Sequence, residues 1–170
     1  MSNRPTYCWD ANVFLAWLGE EPGAPLANID LVRGEIDKGE ANLLVPVIAY
    51  SEILEAKHTP DQMDLFRKFL QRSNVEVANI TQEIAEKTGQ VRSRALGLHP
   101  KVKLRTPDAT YIAVAIVFKA EVLHTLEANQ LPQLSGTSVV EGLKITAPRP
   151  LKGTSSFMCP PEAQPSAASS

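Results

Sequence analysis

Short apolar runs alternate with longer stretches of helical periodicity along most of the chain. Thr6–Trp9, Leu43–Val47, Val75–Ile80, Glu121–Thr125 and Leu143–Thr146 read as five strands bounded by polar or turn residues. Between them, Val13–Leu18, Asn28–Lys38, a segment capped by Ser51, Gln62–Gln71, a helix capped by Thr81 and Asp108–Ala120 place apolar residues every three or four positions. Pro46 marks the end of the second strand, and Ala128–Leu134 has helical tendency inside a loop. Strands alternating with helices predict an α/β fold: three layers, α/β/α, around a mainly parallel five-stranded sheet. The pattern fades near Pro148. Residues 1–148 are therefore expected to form one domain. Residues 149–170, rich in Pro, Ser and Ala, are expected to be a disordered tail, in which Phe157 and Met158 are the only candidates to dock on a partner.

The most informative stretch is Thr106-Pro107-Asp108-Ala109-Thr110-Tyr111-Ile112-Ala113-Val114-Ala115. Thr106 is expected to cap a buried helix, with Pro107 at its first position and Asp108 in its first turn at the positive end of the dipole. Asp108 either complements that dipole or joins a cluster of acids. In a parallel sheet, ligands lie outside the carboxyl ends of the strands. Asp10 follows the first strand, Glu52 is expected to open the helix after the second, Asp108 opens the helix leading into the fourth, and Glu127 follows the fourth. Four carboxylates on one edge repel, and a hard divalent cation offsets that repulsion. With no histidine or cysteine among them, Mg²⁺ or Mn²⁺ suits the set better than Zn²⁺. Asn12 is placed to orient Asp10, touch a substrate or cap a helix. Thr125 is placed to hydrogen-bond a carboxylate.

Charge sharpens this picture. The net charge is −2, so no global basic field advertises a polyanion, yet Lys87, Arg92, Arg94, Lys101, Lys103 and Arg105 occur in a run without a single acid that leads directly to Asp108. The run reads either as a solvated helix face with a basic loop or as a phosphate-binding strip, with Arg92 and Arg105 as its best contacts. His58 and His99 read as loop residues, and Glu55 as a solvated neighbour of Lys57. Two distant cysteines, Cys8 and Cys159, make neither a disulfide framework nor a zinc pattern. No stretch is apolar over the length a membrane span needs, and the opening residues do not read as a secretory signal, so a cytoplasmic location is expected.

The segments Cys8-Trp9-Asp10-Ala11-Asn12-Val13-Phe14-Leu15, Ser51-Glu52-Ile53-Leu54-Glu55, Thr106-Pro107-Asp108-Ala109 and Leu123-His124-Thr125-Leu126-Glu127, in this order, resemble the PIN-domain nucleases, and most of all the single-domain toxins of the VapC type. The resemblance runs over about Thr6–Ala147. It implies a metal-dependent endoribonuclease that leaves 5′-phosphate and 3′-hydroxyl ends, with Asp10, Glu52 and Asp108 as catalytic metal ligands and Glu127 as the fourth catalytic acid, helping to hold a second ion or orient water. Glu127 stands where aspartate or asparagine is usual, and Asn129 where a further acid often lies. The resemblance also implies a homodimer, an RNA substrate and a cognate protein antitoxin. A PIN nuclease of RNA processing without an antitoxin, and a PIN-fold binding module without turnover, are the alternatives.

Overall fold

The computed structural model describes residues 4–151. Five strands, β1 (Thr6–Trp9), β2 (Asn42–Pro46), β3 (Val75–Ala78), β4 (Val122–His124) and β5 (Lys144–Thr146), form one sheet in the order β3-β2-β1-β4-β5. Every neighbouring pair is parallel. The register sets Cys8 opposite Leu44 on one side and Leu123 on the other. The central strands β1, β2 and β4 are covered on both faces and read as nearly continuous apolar runs, while the outer β3 and β5 expose Glu76, Val77 and Lys144.

The helices are α1 (Ala11–Gly19), α2 (Leu26–Asp37), α3 (Val47–Glu55), α4 (Pro60–Leu70), α5 (Gln82–Leu96), α6 (Thr106–Val117) and the short α7 (Gln130–Gln133). A 3₁₀ turn at Ser138–Val140 precedes β5. Right-handed crossovers put α1 to α4 on one face of the sheet and α5 to α7 on the other. Accordingly α1 packs against α2, α3 and α4, while α6 packs on α5 and spans β1, β2 and β4. The three-layer architecture expected from the apolar pattern is present.

Two helix starts differ from expectation. Ser51 does not cap α3; the helix begins at Val47, directly after Pro46, and the Ser51 hydroxyl donates within it to the Ile48 carbonyl at 2.9 Å. The strand flows into the helix with no loop between, so the β-branched pair Val47-Ile48 imitates a longer strand in the sequence. Likewise Thr106 is already helical, and Arg105, in extended conformation, takes the cap position of α6 without a side-chain bond. Pro107 is compatible with either arrangement, because neither of the first two helical N–H groups has an intrahelical partner. Other starts follow the sequence. Thr81 caps α5 through Ile84 N, and Thr59 with Gln62 forms a complete capping box on α4.

The α1–α4 side of the core is aromatic. Phe14 contacts Phe66 edge-on at 5.5 Å and Trp9 at 5.1 Å between ring centroids. Trp17 lies 5.0 Å from Phe69, whose outer side is covered by the Arg72 guanidinium at 4.6 Å. This cluster fastens α1, and with it the residue that starts α1, to the sheet. The expected domain limit falls after β5, yet Leu151 still donates its backbone N–H to the Tyr7 hydroxyl at 2.8 Å, and that hydroxyl donates to Glu35 at 2.7 Å. The expectations for Phe157, Met158 and Cys159 lie outside the described residues.

Phe14 is fully buried at the centre of the cluster. Its replacement by alanine should lower unfolding free energy by about 3–5 kcal/mol, read from urea denaturation. A loss below about 1 kcal/mol would mean that the cluster does not anchor α1.

Candidate active site

The strand order reverses direction between β1 and β4: the chain leaves β1 toward one face and β4 toward the other. That divergence opens a crevice at the carboxyl ends of the two strands. Asp10 is the first residue past β1, and Thr125 the first past β4.

Asp10 is 3% exposed. Its Oδ1 accepts the Val13 N–H at 3.3 Å, which caps α1, and its own N–H donates to the His124 carbonyl at 3.2 Å. Burial pushes the Asp10 pKa up to about 7; hydrogen bonds from the Thr125 side chain and the Val13 and Asn12 backbone pull it down, while the charge of Glu52 pushes it further up. This carboxylate is thus held where its ionised form lacks a compensating charge.

Asn12 explains how Thr125 is held. Its side-chain amide donates to Thr125 Oγ1 at 3.3 Å, while its Oδ1 accepts the Leu126 N–H at 2.8 Å. Asn12 thereby clamps the segment leaving β4 onto the start of α1. Glu127 also acts locally. Its N–H donates to Thr125 Oγ1 at 3.0 Å, and its carboxylate accepts the N–H groups of Asn129, Gln130 and Leu131 at 2.8, 2.9 and 2.7 Å, satisfying the start of α7. Burial would raise the Glu127 pKa, but those three amides and the Arg105 charge bring it below the usual value.

Glu52 lies in the second turn of α3 rather than at its opening, half-buried, and its Oε2 accepts the Tyr111 hydroxyl at 2.8 Å. Burial first, then Glu52, raises the Tyr111 pKa. Asp108 is paired with Arg105 in a two-pronged contact, Nε to Oδ2 at 3.0 Å and Nη2 to Oδ1 at 3.3 Å. The Arg105 side chain is 79% exposed, so this pair adds little stability and exchanges readily. Arg105 also feels the charges of Glu52 and Glu127. Thr106 contributes its carbonyl, which accepts the Thr110 hydroxyl at 2.8 Å.

The basic run divides in two. Lys87 and Arg94 both pair with Glu141 on the far side of the 3₁₀ turn. Arg92 is exposed and donates Nε–H to the Leu104 carbonyl at 3.3 Å, pinning the loop between α5 and α6. Lys103 and Arg105 remain beside the acids, where they line a cleft of about 260 Å³ with Asp108, Glu127, Asn129 and Gln130.

Among the described residues, no three acidic, histidine or cysteine side chains stand together closely enough to form an all-protein metal cage. The donors nonetheless suit a hard divalent ion. Mg²⁺ is commonly held through one or two carboxylates with several waters retained, and Asp10 and Glu52, near enough for the charge of one to raise the pKa of the other, are oxygen donors of that kind, while Asp108 is paired with Arg105.

Behind the site lies a buried histidine. His124 Nδ1 accepts the Trp9 indole N–H at 3.1 Å and its ring stacks on Tyr7 at 4.9 Å. That bond assigns the neutral tautomer with the proton on Nε2. Burial lowers the His124 pKa to about 3.

Sequence reasoning passed over Tyr111 and the Arg105–Asp108 pair. Both had a local signal, since Arg105 and Tyr111 each stand three residues from Asp108.

The family model of the PIN domain matches residues 7–133. The chain belongs to the PIN domain family. No curated protein matches it in sequence. Among solved structures, it is similar to a VapBC2 complex from Rickettsia felis bound to a DNA fragment from its promoter, at 15% identity and TM-score 0.57, over 82% of this chain and 96% of that one. A toxin–antitoxin complex from Klebsiella pneumoniae matches at 19% identity and TM-score 0.57, over 84% and 97%. A DNA-bound VapBC from Salmonella typhimurium matches at 17% identity and TM-score 0.54, over 83% and 96%. At such identities these likenesses concern the fold.

The two displaced pKa values act on stability with opposite signs. Asp10, raised from 3.8 to about 7, contributes stability that is complete below 3.8 and is lost as pH rises through 7. His124, lowered from 6.5 to about 3, contributes stability that is complete above 6.5 and is lost as pH falls toward 3. Between 3.8 and 6.5 the slopes oppose, and the metal-free protein should show a nearly flat profile. Urea midpoints in EDTA should separate them. Asp10→Asn should give stability that rises with pH by roughly 1.4 kcal/mol per unit, and His124→Gln stability that falls by a similar amount. Wild-type profiles in both variants would refute these assignments.

Proposed function

We propose that the chain is a Mg²⁺- or Mn²⁺-dependent endoribonuclease, the toxin of a type II toxin–antitoxin pair, acting in the cytoplasm as a homodimer. The observation that carries the reading is the buried, uncompensated Asp10 at the switch point, with Glu52 close enough to raise its pKa. Membership in the PIN family supports nuclease chemistry. The likeness to toxin–antitoxin complexes supports a protein antitoxin as partner, and the dimer rests on family resemblance.

In this mechanism Asp10, Glu52 and Asp108 would hold the ion, directly or through water, and the ion would supply a water of lowered pKa for attack on the phosphodiester and positive charge beside the phosphoryl oxygens. Asp10, raised to about 7, would hold it in its deprotonated form. Thr125 and the Val13 amide fix the direction of its oxygens. Arg105 exchanges Asp108 for a substrate phosphate, with Lys103 beside it in the cleft and Arg92 as a further candidate contact. Glu127 holds the α7 start in place. Its Oε2, which accepts one amide only, keeps acceptor capacity for a second ion or an oriented water.

The test is cleavage of a mixed RNA substrate with Mg²⁺ or Mn²⁺. Wild type should cleave with either ion, and Asp10→Asn should lose at least about 100-fold in rate while remaining folded. Cleavage absent with both ions, or undiminished in the variant, would overturn the enzymatic assignment. Expression alone should arrest growth, and coexpression of a small neighbouring gene should relieve it; growth unaffected would leave a nuclease without a toxin's role.

A further inference from the structure

We propose that Tyr111 is a positioning residue that holds the Glu52 carboxylate in place for the divalent ion, an assignment that rests on the nuclease reading above. Tyr111 is 3% exposed and lies one turn after Asp108 on α6. Its hydroxyl donates to Glu52 Oε2 at 2.8 Å across 59 positions of sequence. The same hydroxyl faces the Ala11 backbone amide and the Asp10 charge. One phenol thus stands between the three segments that carry the acids: the start of α1, the body of α3 and the first turns of α6.

The three acids differ in what restrains them. Asp10 is bonded by Val13 N and held by Thr125, and Asp108 is paired with Arg105. Among the described residues, the Glu52 carboxylate has Tyr111 as its one hydrogen-bond partner, and Oε1 has none. Glutamate carries the longest of these side chains, so it loses the most rotamer freedom when it binds an ion. A buried hydroxyl on a rigid helix sets one oxygen and leaves the other presented. Partners of this kind, behind a ligand, commonly change metal affinity by about 10- to 100-fold when removed.

Mn²⁺ binding to the whole protein, followed by electron paramagnetic resonance and calorimetry, tests this without recourse to turnover. Tyr111→Phe keeps the ring and should unfold at nearly the wild-type temperature, yet bind Mn²⁺ about tenfold more weakly. Tyr111→His, which restores a donor, should recover part of the loss. On a Glu52→Gln background, Tyr111→Phe should weaken binding no further, because its effect passes through Glu52. Wild-type affinity in Tyr111→Phe, or an equal loss on both backgrounds, would overturn the assignment. The two levels separate cleanly. If wild type binds no Mn²⁺, or Asp10→Asn binds as wild type does, the nuclease reading fails and Tyr111 with it. If Asp10→Asn abolishes binding and Tyr111→Phe does not change it, the role of Tyr111 alone fails.

Discussion

A carboxylate taken out of water without a counter-ion is the constraint around which this structure is arranged. Asp10 sits between β1 and β4, where a parallel sheet turns its chain to opposite faces. The cost of burying it is only partly offset by the Val13 amide and the Thr125 side chain. The surroundings then make sense as supports. Asn12 ties Thr125 and Leu126 to α1, the aromatic cluster ties α1 to the sheet, and Glu127 settles the loop that follows Thr125. Polar groups at the end of β4 are spent on fixing geometry, which leaves the acids on α3 and α6 to face the crevice. Carboxylates perturbed in this way cluster at functional sites.

Much of this was legible in the sequence because the signals were local or periodic. All five strands were visible, the buried β1, β2 and β4 as short apolar runs and β3 through its alternation. Thr81 and Thr59 advertise their caps through the residues that follow them. Asp10 and Glu127 could be brought to one edge of the sheet because each follows a strand directly. Ser51 misled, since a serine inside a helix can bond back to Ile48 as easily as it caps, and only the continuity of β2 into α3 distinguishes the two. Thr106 misled by one position, where Arg105 carries the extended backbone.

The partners of the acids were harder to read. Tyr111 was absorbed into the apolar body of α6, as its ring is; only its hydroxyl belongs to the site, and its acceptor is far away in sequence. The basic run looked uniform because charge is counted along the chain. Folding sends Lys87 and Arg94 to Glu141, a residue that follows α7, and keeps Lys103 and Arg105 by Asp108. Tertiary pairing of this sort leaves no periodic trace.

The placement of the indoles has a spectroscopic consequence. The chain has two tryptophans, and both belong to the aromatic cluster that anchors α1. Trp9 immediately precedes Asp10 and gives its N–H to His124, next to Thr125. Indole emission therefore comes from the two ends of α1, Trp9 beside His124 and Trp17 against Phe69, and is a built-in optical report on how that helix packs behind Asp10.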